Sequence, residues 1–272
     1  MTKGRTPKPR DRATSAREWD ARSYHKLSEP QFDWGKRVLS TLTLAGNERV
    51  MDAGCGSGRL TSLLADRLPE GEVVAVDRSE NMTRVAAETL APLVPRPAVV
   101  LADVSALPFP AAFDVVFSTA TFHWILDHDR LFAELYRVLK RGGRLHAQCG
   151  GGPNLARIHR RADDLKQTDE FVRFFEDWKD PWEFASVEAT DQRLRRAGFN
   201  HVDVSLESAP VVFPNAVAFA DFVSTVVLRP FLVRIGDEHS RRRFVDRLTT
   251  AAADDDPAFA LDYCRLNIIA SR

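Results

Sequence analysis

The run Val50-Met51-Asp52-Ala53-Gly54-Cys55-Gly56-Ser57-Gly58 sets glycines at alternate positions directly behind an apolar stretch and an acid. A backbone without Cβ atoms turns tightly and lets a ligand come close to its N–H groups. The helix expected next adds unpaired N–H groups of its own. A dinucleotide loop needs G-x-G-x-x-G, and the third glycine position falls here on Arg59, so the spacing argues against a nicotinamide nucleotide. Asp77 ends the next apolar run, where a carboxylate can accept hydrogen bonds from both hydroxyls of a ribose. Asp103 closes a third run and can accept from an adenine amino group or cap a turn. Together these acids and glycines describe a seat for a nucleoside-bearing ligand.

A second group of chemically able residues follows the fourth apolar run, in Ser118-Thr119-Ala120-Thr121-Phe122-His123-Trp124. Ligands of open α/β sheets bind beyond the carboxyl ends of the strands, so this segment is the first place to look for a reacting partner. His123 reads equally as a satisfied core histidine, whereas Trp124 wants a partner for its indole N–H. No metal site is expected. Cys55, Cys149 and Cys264 form no CxxC pair, and His123 and His128 lack further ligands at useful spacing.

The elements that must position these residues alternate. Strands are expected at 49–53, 72–77, 98–102, 113–118 and 144–149, with helices at 60–68, 80–90 and 129–139 between them. Near-continuous apolar strands separated by helices imply a parallel sheet covered on both faces. Beyond Gly150 the pattern loosens into helical stretches, a helix at 186–197, and strands at 201–206 and 263–270. The expected fold is α/β, a Rossmann-like doubly wound sheet of seven mostly parallel strands. Helical lids at about 153–185 and 212–255 are expected over its carboxyl edge. Residues 16–272 then form one domain, and the basic, proline-bearing residues 1–15 a disordered tail.

Composition narrows the function. Lys+Arg and Asp+Glu are equal at 38 each in 272 residues, so no net field gathers nucleic acid or anionic membrane. The odd, dispersed cysteines suit a reducing compartment, and neither a membrane span nor a secretory leader is expected. The chain reads as cytoplasmic.

From about Trp19 to Cys149 the sequence resembles the class I S-adenosylmethionine (SAM)-dependent methyltransferases. The resemblance is to the small-molecule branch that includes trans-aconitate and juvenile-hormone-acid methyltransferases. It rests on DAGCGSG, VVAVDRSENM, ADVSALPF, FDVVFSTATFHWILD and LFAELYRVLKRGGRL. It implies that Gly54, Cys55, Gly56 and Gly58 lie along the methionine moiety, with Asp52 near its amine. It further implies that Asp77 grips the ribose, that Asp103 and Val104 contact adenine with Arg78 and Met82 flanking it, and that Thr119 lies near the cofactor. The motif Trp19-Asp20-Ala21-Arg22-Ser23-Tyr24-His25 resembles the family's N-terminal helix, which folds over the cofactor, and Tyr24 joins that set. The antiparallel last strand is also implied by the resemblance.

In related carboxyl methyltransferases a tryptophan after the fourth strand and a glutamine of the N-terminal helix hold the acceptor carboxylate; the matching residues are Trp124 and Gln31. A carboxylate acceptor needs no base because it is ionised at neutral pH. A hydroxyl or amine would need one, for which His123 and His25 are candidates. The Asn-Pro-Pro-Tyr segment of amide and nucleobase N-methyltransferases is absent here, which favours oxygen as the methylated atom. The acceptor is then a small organic acid, and S-adenosylhomocysteine the second product. Some aromatics of the helical stretches are expected to line its pocket, and Arg229 and Arg234 are candidates to pair with its charge. Methylation at carbon or nitrogen, or SAM binding without turnover, are the alternatives.

Overall fold

The computed structural model describes residue 21 and residues 28–272. Trp19, Tyr24 and His25, and with them the expectation that Tyr24 meets the cofactor, lie outside the described residues, as does the N-terminal tail.

Helix α1 (Glu29–Thr41) has Pro30 in its first turn, where a missing N–H costs nothing. Then come β1 (Arg49–Ala53), α2 (Arg59–Ala65), β2 (Glu72–Asp77), α3 (Glu80–Leu90), β3 (Ala98–Leu101), β4 (Phe113–Thr119), α4 (His128–Val138) and β5 (Leu139–Gly150). Caps mark the helix starts: Ser79 accepts from the Met82 N–H and Asp127 from the Arg130 N–H, each contact contributing about 1 kcal/mol. After α5 (Ala156–Lys166) and α6 (Val187–Ala197) the chain returns to the sheet as β6 (Asn200–Ser208). It then makes the short β7 (Val211–Val212), α7 (Ala216–Phe222), a π-helical turn (Val223–Val227), α8 (Arg229–Arg234), α9 (Glu238–Ala253), β8 (Ala260–Leu261) and β9 (Cys264–Ser271).

The main sheet has seven strands in the order β3-β2-β1-β4-β5-β9-β6. The first five are parallel, and β9 runs antiparallel to both β5 and β6. The chain moves outward from β1 through β2 to β3, then restarts beside β1 with β4. That reversal leaves a crevice at the carboxyl ends of β1 and β4, where neither crossover covers the sheet.

Alternation along β1 and β4 explains the double burial. Val50, Val115 and Phe117 pack under α1 and α2, while Met51 and Val116 pack on the opposite face with Leu131 and Leu135 of α4. These side chains are fully buried, each contributing roughly 1.5–3 kcal/mol of transfer free energy.

Strand β5 starts at Leu139, five residues before the expectation, because Gly142 at φ +77° lets the chain swing without leaving the sheet. Leu139 pairs with Phe113 before the register shifts and Arg144 pairs with Val115. The lid stretch expected to be helical at about 153–185 holds only α5 and a 3-10 turn at Val172–Phe174. Its aromatics pack instead against the helices after β7. Phe171 and Phe175 meet Phe244 of α9 at ring-centroid distances of 5.1 and 6.0 Å, and these rings belong to a second apolar core that also takes in Trp34 and Tyr263. Among the described residues no helix is long and apolar enough to cross a membrane.

Candidate active site

The glycine turn leaves β1 at the crevice. The N–H groups of Gly54 and Cys55 both donate to the Val76 carbonyl of β2, at 2.8 and 2.9 Å, which pulls the turn over the neighbouring strand end. Two of its glycines have different duties. Gly54 has φ +84°, and a Cβ there would sit 2.1 Å from Thr121 Oγ1, so the turn closes on the segment after β4. Gly56 has φ +52°, and a Cβ there would meet nothing within 4 Å. That space belongs to a cleft enclosing about 1110 Å³, its open mouth included.

Asp77 closes the turn from the side. Its Oδ2 accepts from the Gly56 N–H at 2.9 Å and its Oδ1 from the Ser79 N–H at 2.9 Å. Burial raises its pKa, and the two backbone donors oppose that rise. Each oxygen keeps a second lone pair, so the carboxylate can still accept from a pair of hydroxyls. Arg78, Met82, Asp103 and Val104 line the same end of the cleft, at β2 and β3. Asp103 also caps its turn, with Oδ1 accepting from the Ser105 N–H at 2.9 Å and hydroxyl at 2.6 Å.

Asp52 lies one layer deeper. It is outside the main cleft wall and faces a smaller cavity of about 470 Å³ that Cys55, Ser57 and Arg59 also line. The cavity shares Gln31, Gly54, Gly56 and Thr119 with the cleft. Asp52 Oδ2 accepts from the Thr61 hydroxyl at 2.6 Å, and burial, with the Asp77 charge, pushes its pKa up to about 7. Gly58 lines neither cavity; its φ of +82° starts α2, and a Cβ would press on Ala86 Cα of α3 at 3.2 Å, so the missing Cβ serves the helix packing.

The β5–β9 end of the cleft is different in kind. Gln31, His123 and Trp124 are all in its wall. His123 is buried, and its Nδ1 accepts from the Gly150 N–H at 3.2 Å. Burial, with help from the Arg265 charge, holds its pKa well below the usual imidazole range. A neutral ring accepting at Nδ1 carries its proton on Nε2, so His123 presents a donor and not a base. Gln31 Nε2 lies 3.3 Å from the Tyr263 hydroxyl, while its buried Oε1 finds no hydrogen-bond partner among the described residues. Arg229 and Arg234 are not in the wall: Arg234 pairs with Asp177 at the surface instead.

Sequence reasoning passed over the residues that complete this end. Arg265 on β9 is 3% exposed, with its Nε 3.4 Å from Gln148 Oε1 and its guanidinium 4.6 Å from the centre of the Trp34 ring. His159 of α5 stacks on Trp182 at 4.5 Å, and its pKa is driven down to about 4 by burial. Asn154, Phe184 and Tyr263 also face the cleft. A lone arginine inside the apolar alternation of the last strand was the available signal. No group of three or more His, Cys, Asp or Glu able to hold a metal occurs among the described residues.

A glycine turn at the switch point of a sheet whose β9 alone runs backward is the arrangement of the class I methyltransferases that the sequence resembles. Comparison with known proteins agrees. A family described as "Methyltransferase domain" matches residues 51–147. An uncharacterized methyltransferase of Schizosaccharomyces pombe is 30% identical over 207 residues, 73% of this chain and 77% of that protein. Trans-aconitate 2-methyltransferase of Rhodopseudomonas palustris (strain BisB5) is 26% identical over 247 residues, covering 87% of this chain and 90% of the relative. Among solved structures, a phosphoethanolamine N-methyltransferase 2 of Haemonchus contortus in complex with phosphomonomethylethanolamine and S-adenosylhomocysteine superposes with a TM-score of 0.60. It is 19% identical and spans 92% of this chain and 56% of that one, a likeness of fold. The chain belongs to the SAM-dependent methyltransferases. SAM is its cofactor, and the open space over Gly56 beside the Asp77 carboxylate fits a bound nucleoside.

Proposed function

We propose that this enzyme methylates a carboxylate oxygen of a small organic acid. The observation that carries the reading is Arg265, a buried guanidinium in the cleft wall on the β5–β9 side, away from the adenosine-binding acids. A buried cation open to a ligand cavity attracts an anion, and its planar fork matches a carboxylate. Several relatives that the chain matches along most of its length, in Rhodopseudomonas palustris and Methylobacterium nodulans among others, are trans-aconitate 2-methyltransferases, which supports an organic acid.

In this reading Asp77 holds the ribose hydroxyls. Asp103, Val104, Met82 and Arg78 surround the adenine, and Gly54, Gly56 and Thr119 border the methionine portion. The smaller cavity takes its amino-acid end, with Asp52 and Cys55 beneath. When bound, SAM would supply an electrophilic methyl whose carbon a carboxylate oxygen attacks in line, the C–S electron pair leaving on sulfur to give a methyl ester and S-adenosylhomocysteine. The chain's own residues need only align the oxygen and exclude water. Gln31 can turn its amide so that the oxygen accepts from the Tyr263 hydroxyl and the NH2 meets the acceptor carboxylate. Trp124 and the Nε2–H of His123 are further donors at that end. No step needs a base, which agrees with a site whose two histidines are held neutral.

The test is incubation with SAM and separate panels of organic acids, phenols and amines, with product masses and S-adenosylhomocysteine followed by mass spectrometry. Methyl esters from the acid panel are expected. Methylation confined to phenols or amines would overturn the reading.

A further inference from the structure

With a carboxylic acid as acceptor, the reading proposed above, one more side chain fixes how that acid sits. We infer that Asn154 determines acceptor specificity: its amide NH2 donates to the acceptor carboxylate, on the face of the sheet from which Arg265 projects.

Asn154 ends the run Gly150-Gly151-Gly152-Pro153-Asn154, a second glycine cluster at the carboxyl end of a strand, here β5. The backbone around it is stitched down on both sides. The Gly152 N–H donates to the Ala185 carbonyl at 2.9 Å, and the Leu155 N–H to the Asp262 carbonyl at 3.0 Å. The Asn154 side chain is 3% exposed and stands in the cleft wall. Its Oδ1 accepts from the Cys264 N–H at 2.9 Å. A backbone N–H can meet only the oxygen end of an amide, so this contact decides which way the group is turned. The NH2, with its two donors, points the other way.

Gly150 shows where that NH2 lies. It stands opposite Arg265 in the β5–β9 register, and opposite residues of an antiparallel pair project from the same face. A Cβ on Gly150 would lie 2.8 Å from Asn154 Nδ2 and 2.9 Å from Phe184 Cε1. The Asn154 amide therefore fills the place of the missing side chain, on the face of Arg265. Gly150 also gives its N–H to His123 Nδ1, which leaves the Nε2–H of that ring as a second neutral donor in the same wall. Donors fixed in this way suit a group that only accepts, and an ionised carboxylate has lone pairs on both oxygens and no proton to place. Hydrogen bonds from N–H groups to a charged oxygen are stronger than those to a neutral one. Were the amide present only to hold Cys264, its oxygen would suffice, and an aspartate would serve equally well.

The test uses the full chain with SAM and three acids, trans-aconitate, cinnamate and octanoate, and follows the one with the highest kcat/KM. Asn154→Asp keeps an oxygen for the Cys264 N–H and turns the NH2 into a second oxygen, which repels a carboxylate. It should melt close to the parent and bind SAM as tightly, with kcat little changed. The KM of the acid should rise about tenfold to a hundredfold, the size of one lost charge-assisted hydrogen bond. Gly150→Ala presses a methyl on Nδ2 while its own N–H still meets His123, and it should raise the same KM. If Asn154→Asp does not fold, Gly150→Ala decides alone. A parental KM in the folded variant, or a loss of SAM affinity as large as the rise in KM, would overturn the inference and leave carboxylate methylation standing. No methyl ester from these or any other acid of the panel, with SAM still bound, would remove both readings.

Discussion

The Gly56 N–H donates to Asp77 Oδ2 at 2.9 Å, so the residue whose missing Cβ opens the cleft is held by the carboxylate that borders it. Turn and acid therefore form one device. Asp77→Asn has a single acceptor oxygen for the two backbone donors of Gly56 and Ser79, and its NH2 must face one of them. The variant should lose SAM affinity by about tenfold to a hundredfold, the size of one or two charge-assisted hydrogen bonds at about 1.5–3 kcal/mol each. Calorimetric titration with SAM measures this directly. Native affinity in the variant would mean that the ribose is held elsewhere.

The two cleft glycines should fail differently. At Gly54 an added methyl collides with Thr121, so Gly54→Ala should lower thermal stability as well as cofactor binding. At Gly56 it meets open space, with a positive φ costing about 1–2 kcal/mol for a non-glycine residue. Gly56→Ala should thus melt only a few degrees lower yet bind SAM much more weakly, because the methyl occupies the ligand's place. Paired melting curves and titrations separate the two; equal loss of stability in both variants would contradict this division.

Asp52 gives a pH dependence of definite sign. Its pKa in the folded chain is pushed up to about 7, above the unfolded carboxylate value, so the folded state binds this proton more tightly. That contribution is fully present below about pH 4 and is lost as pH rises through about 7. The ligand-free enzyme should lose melting temperature between about pH 4 and 7 more steeply than Asp52→Asn, whose amide can still accept from Thr61. A cationic methionine amine placed near Asp52 favours the ionised carboxylate. SAM binding should then release a proton and tighten from pH 6 to 8. Titration in buffers of different ionisation enthalpy counts that proton, and a count near zero at pH 6.5 would move the amine away from Asp52.

The cofactor half of the site was legible in the sequence, and the acceptor half only partly. Strands β1 and β2 lie where the apolar runs put them, because a strand buried on both faces leaves an unbroken hydrophobic signature, and the acids at their ends follow from it. Glycine spacing reveals a special backbone but not which glycine faces a ligand: Gly58 turned out to face Ala86. Arg265 on β9 and Tyr263 just before it are about two hundred residues from the glycine turn, and only the antiparallel insertion of β9 beside β5 brings them to the crevice. Between α5 and α6, ring packing decided the backbone, so Trp182 and Phe184 are held by stacking in a segment whose composition read as helical.

His123 separates a carboxylate from a hydroxyl acceptor most sharply. Its Nδ1 is engaged by the Gly150 N–H and its pKa lies well below the usual imidazole value, so it cannot take up a proton at neutral pH without breaking that contact. With an acid as acceptor, kcat should stay flat from pH 6.5 to 9, since the acceptor carboxylate is already ionised. His123→Asn offers an oxygen to the Gly150 N–H and an NH2 toward the cleft, and it should keep activity within about tenfold of the parent. Loss of a general base costs about 10²–10⁴-fold. A loss of that size, with a rising pH limb in the parent that vanishes in the variant, would make His123 a base and the methylated oxygen a hydroxyl.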